Sequence, residues 1–230
     1  MRILIITMLQ FKVKNYSWFL IALAIWVVVH AITLVVFDKA SLHLALTSHH
    51  VGWLDTFFKY YTMLGEEWIY VVAVLFLFVR FQPALLIISS QLMGAGVVQI
   101  IKHIWNTPRP KEFFAQNFPD VVLHQVSDVQ MHSWHSFPSG HTTAAFAFFM
   151  SLTLVYATKN KTLQLLFFMM AALVGCSRVY LSQHFSIDVL VGSVIGTMVA
   201  VLSACYWNSR KSMWLQSSLL QLLRNKLVKS

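Results

Sequence analysis

The sequence predicts an all-α membrane protein that crosses the bilayer six times. Of its 230 residues, 58% are hydrophobic and only 11% are charged, and the mean hydropathy is +0.67. A typical soluble domain is about 25% charged and about 45–50% apolar. The alternative, buried core helices of a soluble protein, would require one small chain to enclose several long apolar helices.

Six apolar stretches carry the span prediction, within one integral domain over residues 1–230. A helix needs about 20 predominantly apolar residues to cross a bilayer, within a range of about 17–25. The second stretch is shorter than the others and carries Arg80 near its end, where a long side chain can reach the interface. The stretches are 18–37, 68–82, 83–101, 142–158, 162–177 and 189–207.

The distribution of Lys and Arg predicts the orientation of these spans, because cytoplasmic segments are enriched in both residues. With both termini inside, the inner side holds Arg2, Lys12, Lys14, Arg80, Lys159, Lys161, Arg210, Lys211, Arg224, Lys226 and Lys229. The outer side holds Lys39, Lys59, Lys102, Arg109, Lys111 and Arg178. The eight acidic residues also fall outside: Asp38, Asp55, Glu66, Glu67, Glu112, Asp120, Asp128 and Asp188. We therefore expect an N-in, C-in protein of the plasma (inner) membrane.

The net charge of +9 follows from this inner excess, which anionic lipid headgroups attract, so no nucleic-acid partner is expected. Residues 208–230 form the predicted cytoplasmic tail. Its sequence SMWLQSSLLQLLRNKLVKS is typical of a basic amphipathic helix on the inner surface, with a solvated, partly disordered tail as the alternative.

Two outer segments are long enough to contribute to a site. Segment 38–66 interleaves aromatic and histidine residues with apolar ones, which predicts interfacial helix between spans one and two. Segment 104–137 contains several prolines and is predicted to be a loop.

Three polar clusters lie at outer ends of predicted spans although they are far apart in sequence. The first, KHIWNTPRP, contains Lys102 and, seven residues later, Arg109. The second, PSGH at 138–141, begins the fourth span. The third, SRVYLSQHFSID, contains His184 and Asp188 between the fifth and sixth spans. The predicted topology brings all three clusters to one membrane face.

The charged residues of these clusters suit a bound phosphate dianion. The guanidinium groups of Arg109 and Arg178 offer planar pairs of donors to phosphate oxygens, and the Lys102 ammonium adds a compact charge. Ser139 and Gly140 begin a predicted helix, whose free N–H groups and dipole also favour an anion. We therefore predict a site for phosphate or a similar oxyanion.

Two histidines beside a bound phosphate indicate phosphoryl transfer, because one can attack phosphorus while the other protonates the departing oxygen. His184 and Asp188 are four residues apart and share a face if that segment is helical. Asp188 can then hold the imidazole in its nucleophilic tautomer, and His141 is the general acid. Neither a metal nor another cofactor is required, since the cations and the helix end supply positive charge.

Each cluster alone has a simpler interpretation, as a cation at a span end, an ordinary helix start or a surface hydrogen bond. Together, Lys102–Pro110, Pro138–His141 and Ser177–Asp188 resemble the three-part signature of the type 2 phosphatidic acid phosphatase family of membrane lipid phosphatases. Every signature position is present. That family in turn is similar to the vanadium haloperoxidases and the glucose-6-phosphatases.

The resemblance implies a bacterial-type six-helix enzyme that hydrolyses a phosphate monoester or diphosphate of a lipid on the outer face through a phosphohistidine. It implies the nucleophile His184, its orienting partner Asp188 and the acid His141. It implies the phosphate ligands Lys102, Arg109, Ser139, Gly140 and Arg178. Candidate substrates are undecaprenyl diphosphate, lipid A phosphate, phosphatidylglycerol phosphate and phosphatidic acid, and segments 41–66 and 111–137 are expected to select among them.

Two other functions stay open. A vanadate-dependent haloperoxidase would use the same pocket, but six spans serve no purpose in that chemistry. A non-catalytic protein that binds or moves lipid has no need of both histidines and Asp188. Outside the signature, His124, His132 and His135 suggest either loop histidines near the headgroups or a weakly spaced zinc site.

Overall fold

The computed structural model describes residues 15–210 and 212–227, apart from the side chain of Glu67, and the regular structure there is helical. The helices are α1 (Ser17–Val36), α2 (Lys39–Leu46), α3 (Gly52–Tyr61), α4 (Glu67–Val79), α5 (Phe81–Ile104), α6 (Pro110–Asn117), α7 (Gly140–Tyr156), α8 (Lys161–Tyr180), α9 (Ser186–Ser209) and α10 (Leu219–Leu227). Two short 3₁₀ turns are Thr62–Gly65 and Met213–Gln216. The predicted inner cations Arg2, Lys12, Lys14, Lys211 and Lys229 lie outside the described residues.

Four helices, α1, α5, α8 and α9, are long and apolar enough to cross a membrane. A fifth candidate span is the pair Gly52–Gly65 and Trp68–Val79, which bends by 46° at its break. Each of the six predicted stretches contains a helix, but α4 has 13 residues and α7 has 17. Helix α4 ends at Val79, so Phe81 and Gln82 of the second predicted stretch belong to α5. The chain is therefore an all-helical integral membrane protein with four or five candidate spans in its described part.

The segment predicted to be a loop by its prolines contains a helix, so that prediction was wrong for residues 110–117. Helix α6 begins at Pro110, with Arg109 as its N-cap residue. Proline is tolerated at the first helical position because the N–H it lacks would have no partner there. The proline therefore begins a helix, with Arg109 immediately before it.

Helix α7 lies at the centre of the bundle and packs against α9, α8 and α5. Its buried side chains include Ala145, Phe146, Ala147 and Met150. Small residues of α9 allow the closest of these contacts: a Cβ added to Gly196 would lie 2.3 Å from the Thr143 carbonyl oxygen. The α7 and α9 backbones therefore meet directly at this seam.

Replacing Gly196 with alanine is expected to lower the stability of the detergent-solubilised protein by about 1–3 kcal/mol, the usual cost of overpacking. The new Cβ would also lie 2.9 Å from the Ala147 backbone nitrogen, so backbone rather than a flexible side chain must shift. Thermal unfolding of the two proteins in one detergent measures the difference.

Gly96→Ala is the matched control, because a Cβ at this α5 position meets nothing within 4 Å. Alanine is about 1 kcal/mol more favourable than glycine inside a helix, so this variant should unfold at the same or a higher temperature. Equal melting of the two variants would contradict a close seam at Gly196.

Candidate active site

The site is built around the N-terminus of α7. Ser139 is the N-cap residue; its hydroxyl accepts hydrogen bonds from the Thr142 N–H (3.4 Å) and the Thr142 hydroxyl (2.9 Å). The Ser139 N–H donates to the Asp188 carbonyl oxygen at 3.0 Å, which joins α7 to the start of α9. The predicted helix start is therefore confirmed, with Ser139 fully buried. Its hydroxyl caps the helix, while Gly140 and His141 line the adjacent cavity.

The three predicted cations converge on that cavity, which has a volume of about 310 Å³. Lys102 lies in the last turn of α5, Arg109 at the start of α6, and Arg178 in the last turn of α8. None of them has a carboxylate within ion-pair distance among the described residues. Three cations without a direct ion-pair partner around one cavity favour the binding of an anion.

Hydrogen bonds to neutral oxygens hold the two guanidinium groups in place. Arg109 donates to the Trp134 carbonyl oxygen (3.0 Å) and to the Gln183 carbonyl and side-chain oxygens (3.3 and 3.2 Å). Arg178 donates from Nη1 to the Thr62 hydroxyl (2.8 Å), and its buried Nε has no partner in the described chain. Because neutral acceptors leave the charge in place, both groups keep attraction for an oxyanion. Burial lowers the pKa of the Arg109 guanidinium from its ordinary value.

His184 and Asp188 form a buried pair at the start of α9. His184 precedes the helix, so the two residues do not share a helix face as the i, i+4 interpretation required. Asp188 is in the first turn, and its Oδ2 accepts from the Phe185 N–H (2.9 Å), which is otherwise unpaired at a helix start. The same oxygen accepts from the Ser136 hydroxyl (2.5 Å) and lies 3.4 Å from His184 Nδ1.

Burial lowers the pKa of His184 well below its ordinary value, and the positive charges of Arg109, Arg178 and Lys102 lower it further. The imidazole is therefore neutral at physiological pH. With Nδ1 facing Asp188, the lone pair of a neutral ring is on Nε2. His184 lines the cavity, so this ring can act as a nucleophile toward an anion held there.

The structure adds polar partners that the sequence motifs do not include. Glu66, between the Thr62–Gly65 turn and α4, places Oε2 3.1 Å from His141 Nε2. Thr62 accepts a hydrogen bond from Arg178, and Gln183 accepts one from Arg109. The Ser136 hydroxyl donates to Asp188. These contacts join segments 50 to 120 residues apart, and neither residue type nor spacing signals them in the sequence.

The three loop histidines go to different places. His132 lines the cavity; burial and the charge of Arg109 lower its pKa. His135 Nδ1 lies 3.4 Å from the Lys102 carbonyl oxygen. His124 Nε2 lies 3.0 Å from Asp55, so the three share no metal site.

His124 instead belongs to a cluster with His50 and Asp55, whose nitrogen and oxygen atoms all lie within 4.8 Å of one another. This described group has the composition to hold a metal ion. Both Asp55 oxygens already accept hydrogen bonds, from Tyr180 (2.6 Å) and His50 (3.1 Å) on Oδ1 and from His124 on Oδ2. The cluster thereby fastens the long outer loop to α3 and α8.

The arrangement is that of a helical membrane protein in which three cations and two histidines, His141 and His184, line one cavity. The sequence profile of the PAP2 superfamily matches residues 83–212, more than half of the chain. The chain belongs to this superfamily. The matched range contains all eight predicted site residues.

Similar proteins agree with this assignment. The chain is 28% identical over 176 residues to a dihydrosphingosine 1-phosphate phosphatase of Schizosaccharomyces pombe, covering 72% of this chain and 41% of that protein. This chain spans less than half the length of the first curated relatives that it matches. Among solved structures, Aquifex aeolicus LpxE is 28% identical with a TM-score of 0.58, covering 72% of this chain and 93% of that one.

A second solved structure supports the fold. It is a transmembrane PAP2-type phosphatidylglycerolphosphate phosphatase from Bacillus subtilis, 23% identical with a TM-score of 0.60. The likeness covers 88% of this chain and all of that one. The membrane fold therefore extends beyond the three motifs to nearly the whole chain.

Proposed function

We propose that this protein is a membrane lipid phosphatase that hydrolyses a phosphate monoester or diphosphate of a lipid through a phosphohistidine intermediate. The observation that carries the proposal is the cavity in which Lys102, Arg109 and Arg178 meet a buried, neutral His184. Cations with no carboxylate partner bind the phosphate, and the nucleophile is already in its reactive protonation state. Membership of a superfamily with phosphatase relatives supports the same reaction.

In the first step the lone pair of His184 Nε2 attacks phosphorus, and the bond from phosphorus to the leaving oxygen breaks. Asp188 accepts the hydrogen bond from Nδ1–H, which strengthens as the ring gains positive charge, and the proton stays on Nδ1. Protonated His141 gives its proton to the leaving oxygen, so the lipid departs as a neutral alcohol or as a lipid monophosphate. The three cations and the α7 N–H groups stabilise charge on the phosphoryl oxygens.

In the second step water attacks the phosphohistidine. Neutral His141 takes a proton from this water, the phosphorus–nitrogen bond breaks, and inorganic phosphate leaves with His184 neutral again. The protons balance over the cycle, and no metal is required.

The cavity supports a lipid as the substrate because its lining combines charged groups with small and aliphatic side chains. The part of the lining that comes from α5 and α7 includes Gln91, Gln99 and Thr143 beside small or aliphatic wall residues. These wall residues are Gly94, Ala95, Val98, Ala144 and Ala147. A phosphorylated lipid satisfies both parts of the cavity, with its headgroup among the cations and the first part of its chain between the helices.

We further propose six spans, with α4 and α7 as the shorter members and α2 and α3 at the outer interface. In this orientation both termini are cytoplasmic and the cavity opens on the periplasmic or exterior side. Helix α10 then lies on the inner surface, which its exposed leucines support, and residues 208–230 form the tail. Those leucines are Leu220, Leu222, Leu223 and Leu227.

Phosphate release by the purified, detergent-solubilised protein tests the function. The panel contains undecaprenyl diphosphate, lipid A, phosphatidylglycerol phosphate and phosphatidic acid, each assayed with and without EDTA. We expect release from one lipid well above the others, unaffected by the chelator. Release from none would favour the non-catalytic function, and loss of activity with EDTA would contradict the metal-free mechanism.

A further inference from the structure

Glu66 is a carboxylate at the rim of the cavity that the proposed reaction has not used. It lines the cavity, and its Oε2 lies 3.1 Å from Nε2 of His141, the proposed acid. The His141 side chain is only 18% exposed, whereas that of Glu66 is 59% exposed. Among the described residues, Glu66 supplies the carboxylate within ion-pair distance of His141.

The backbone before Glu66 is fixed against the two helices that carry the site. A Cβ added to Gly65 would lie 2.8 Å from the His141 carbonyl oxygen and 2.8 Å from Val174 of α8. One turn earlier, the Thr62 hydroxyl accepts the hydrogen bond from Arg178. The Glu66 N–H donates to the Met63 carbonyl oxygen at 3.0 Å, which closes the turn. The segment that positions the Glu66 carboxylate beside His141 is therefore in direct contact with α7.

The charge balance explains why His141 needs such a partner. A general acid must carry its proton before the reaction, yet His141 shares its cavity with three cations. Like charges in an enclosed, weakly polar space repel strongly, which disfavours a fourth positive charge. A carboxylate hydrogen-bonded to one ring nitrogen favours the charged imidazolium.

We propose that Glu66 is a positioning residue that holds His141 as an imidazolium, with its Nε2–H on the carboxylate and Nδ1–H free for the leaving oxygen. The proposal rests on the phosphatase function. The site then contains two His–carboxylate pairs with different roles. Asp188 orients the neutral nucleophile His184, and Glu66 stabilises the charged acid His141. When His141 has given up its Nδ1 proton, its neutral ring keeps the Nε2–H on Glu66 and can accept a proton from water.

Leaving-group dependence tests this role, because a general acid matters in proportion to the basicity of the departing oxygen. Glu66→Gln should lower kcat/KM for a lipid phosphate monoester, whose alkoxide is a poor leaving group, by about 10–100-fold. For p-nitrophenyl phosphate, whose leaving group needs no proton, kcat/KM should change by less than about threefold. Glu66→Asp, which retains the carboxylate, should recover part of the lost activity.

Two controls separate this role from a general effect of charge or folding. Glu112→Gln makes the same change at a partly exposed α6 residue outside the cavity lining that is hydrogen-bonded to Gln116, and should leave both activities unaffected. In a His141→Ala background, Glu66→Gln should cause no further loss, since the group through which it acts is gone.

The alternatives have different results. Equal losses on both substrates would overturn the proposal in favour of a structural role, and higher activity would show that Glu66 competes with phosphate for the site. A wild-type protein inactive on every phosphate ester would overturn the phosphatase function itself, and that failure is visible before any variant is compared.

Discussion

Replacing His184 with alanine is expected to abolish phosphate release, with a loss on the order of 10⁴-fold or more. The side chain is 1% exposed, lines the cavity and is the neutral imidazole facing the three cations. Without it the proposed nucleophilic nitrogen is lost, while the cations proposed to bind phosphate stay in place. The substrate should therefore still bind, with a dissociation constant within about tenfold of the wild type.

Turnover of the preferred lipid by the two proteins measures the effect, and rapid quenching under alkaline conditions traps a phosphohistidine from the wild type alone. The matched control is His49→Ala, at an exposed histidine whose hydrogen-bond partner is the neighbouring Ser48. That variant should turn over normally. Appreciable turnover or a trapped phosphoenzyme in His184→Ala would remove this residue from the nucleophile role.

Asp188→Asn is expected to lower kcat by about 10³–10⁴-fold with a much smaller change in KM. The Asp188 carboxylate accepts on one oxygen from the Ser136 hydroxyl and the Phe185 N–H, and it faces Nδ1 of His184. An amide that turns its NH₂ group toward the ring would favour the wrong tautomer, with the proton on Nε2 and the lone pair away from phosphorus. The carboxylate charge that balances the developing imidazolium is also lost.

Asp55→Asn is the matched control, because Asp55 also accepts hydrogen bonds from a hydroxyl and contacts histidine, but outside the cavity. It should lower thermal stability and leave kcat close to that of the wild type. Ser136→Ala, which removes one donor to Asp188, should lower kcat by about tenfold or less. A kcat in Asp188→Asn as high as in Asp55→Asn would show that Asp188 has only a structural role.

The sequence predicts the helices well where hydropathy and length decide the outcome. Stretches 18–37 and 189–207 correspond to Ser17–Val36 and Ser186–Ser209, because a span must be apolar throughout. Hydropathy does not predict α6, because this helix of the outer loop is polar and does not cross the membrane. There a proline at the first helical position signals a helix, but prolines are also typical of loops.

The convergence of Lys102, Arg109, Arg178, His141 and His184 on one cavity follows from topology, since each lies at the same end of a predicted span. The contacts of Thr62 with Arg178, of Glu66 with His141 and of Ser136 with Asp188 depend instead on the fold of segments 38–66 and 118–139. The sequences of these segments have no repeating pattern. Glu66 illustrates the limit: its position on His141 depends on how Gly65 packs on α7. The sequence shows a glycine at position 65, but only the structure shows that its backbone lies against the His141 carbonyl oxygen.

The enclosure of α7 separates the reaction from the lipid around it. Helix α1 is exposed or partly exposed apart from the buried Phe19, so we expect it to follow changes in membrane thickness by tilting or by moving its ends. Helix α7 is mostly buried and is joined to α9 by backbone contacts at Gly196 and at the Ser139–Asp188 hydrogen bond. We therefore expect hydrophobic mismatch to act on the outer helices and on the entry of the substrate, and to leave the distances among the proposed reacting groups unchanged between thin and thick bilayers.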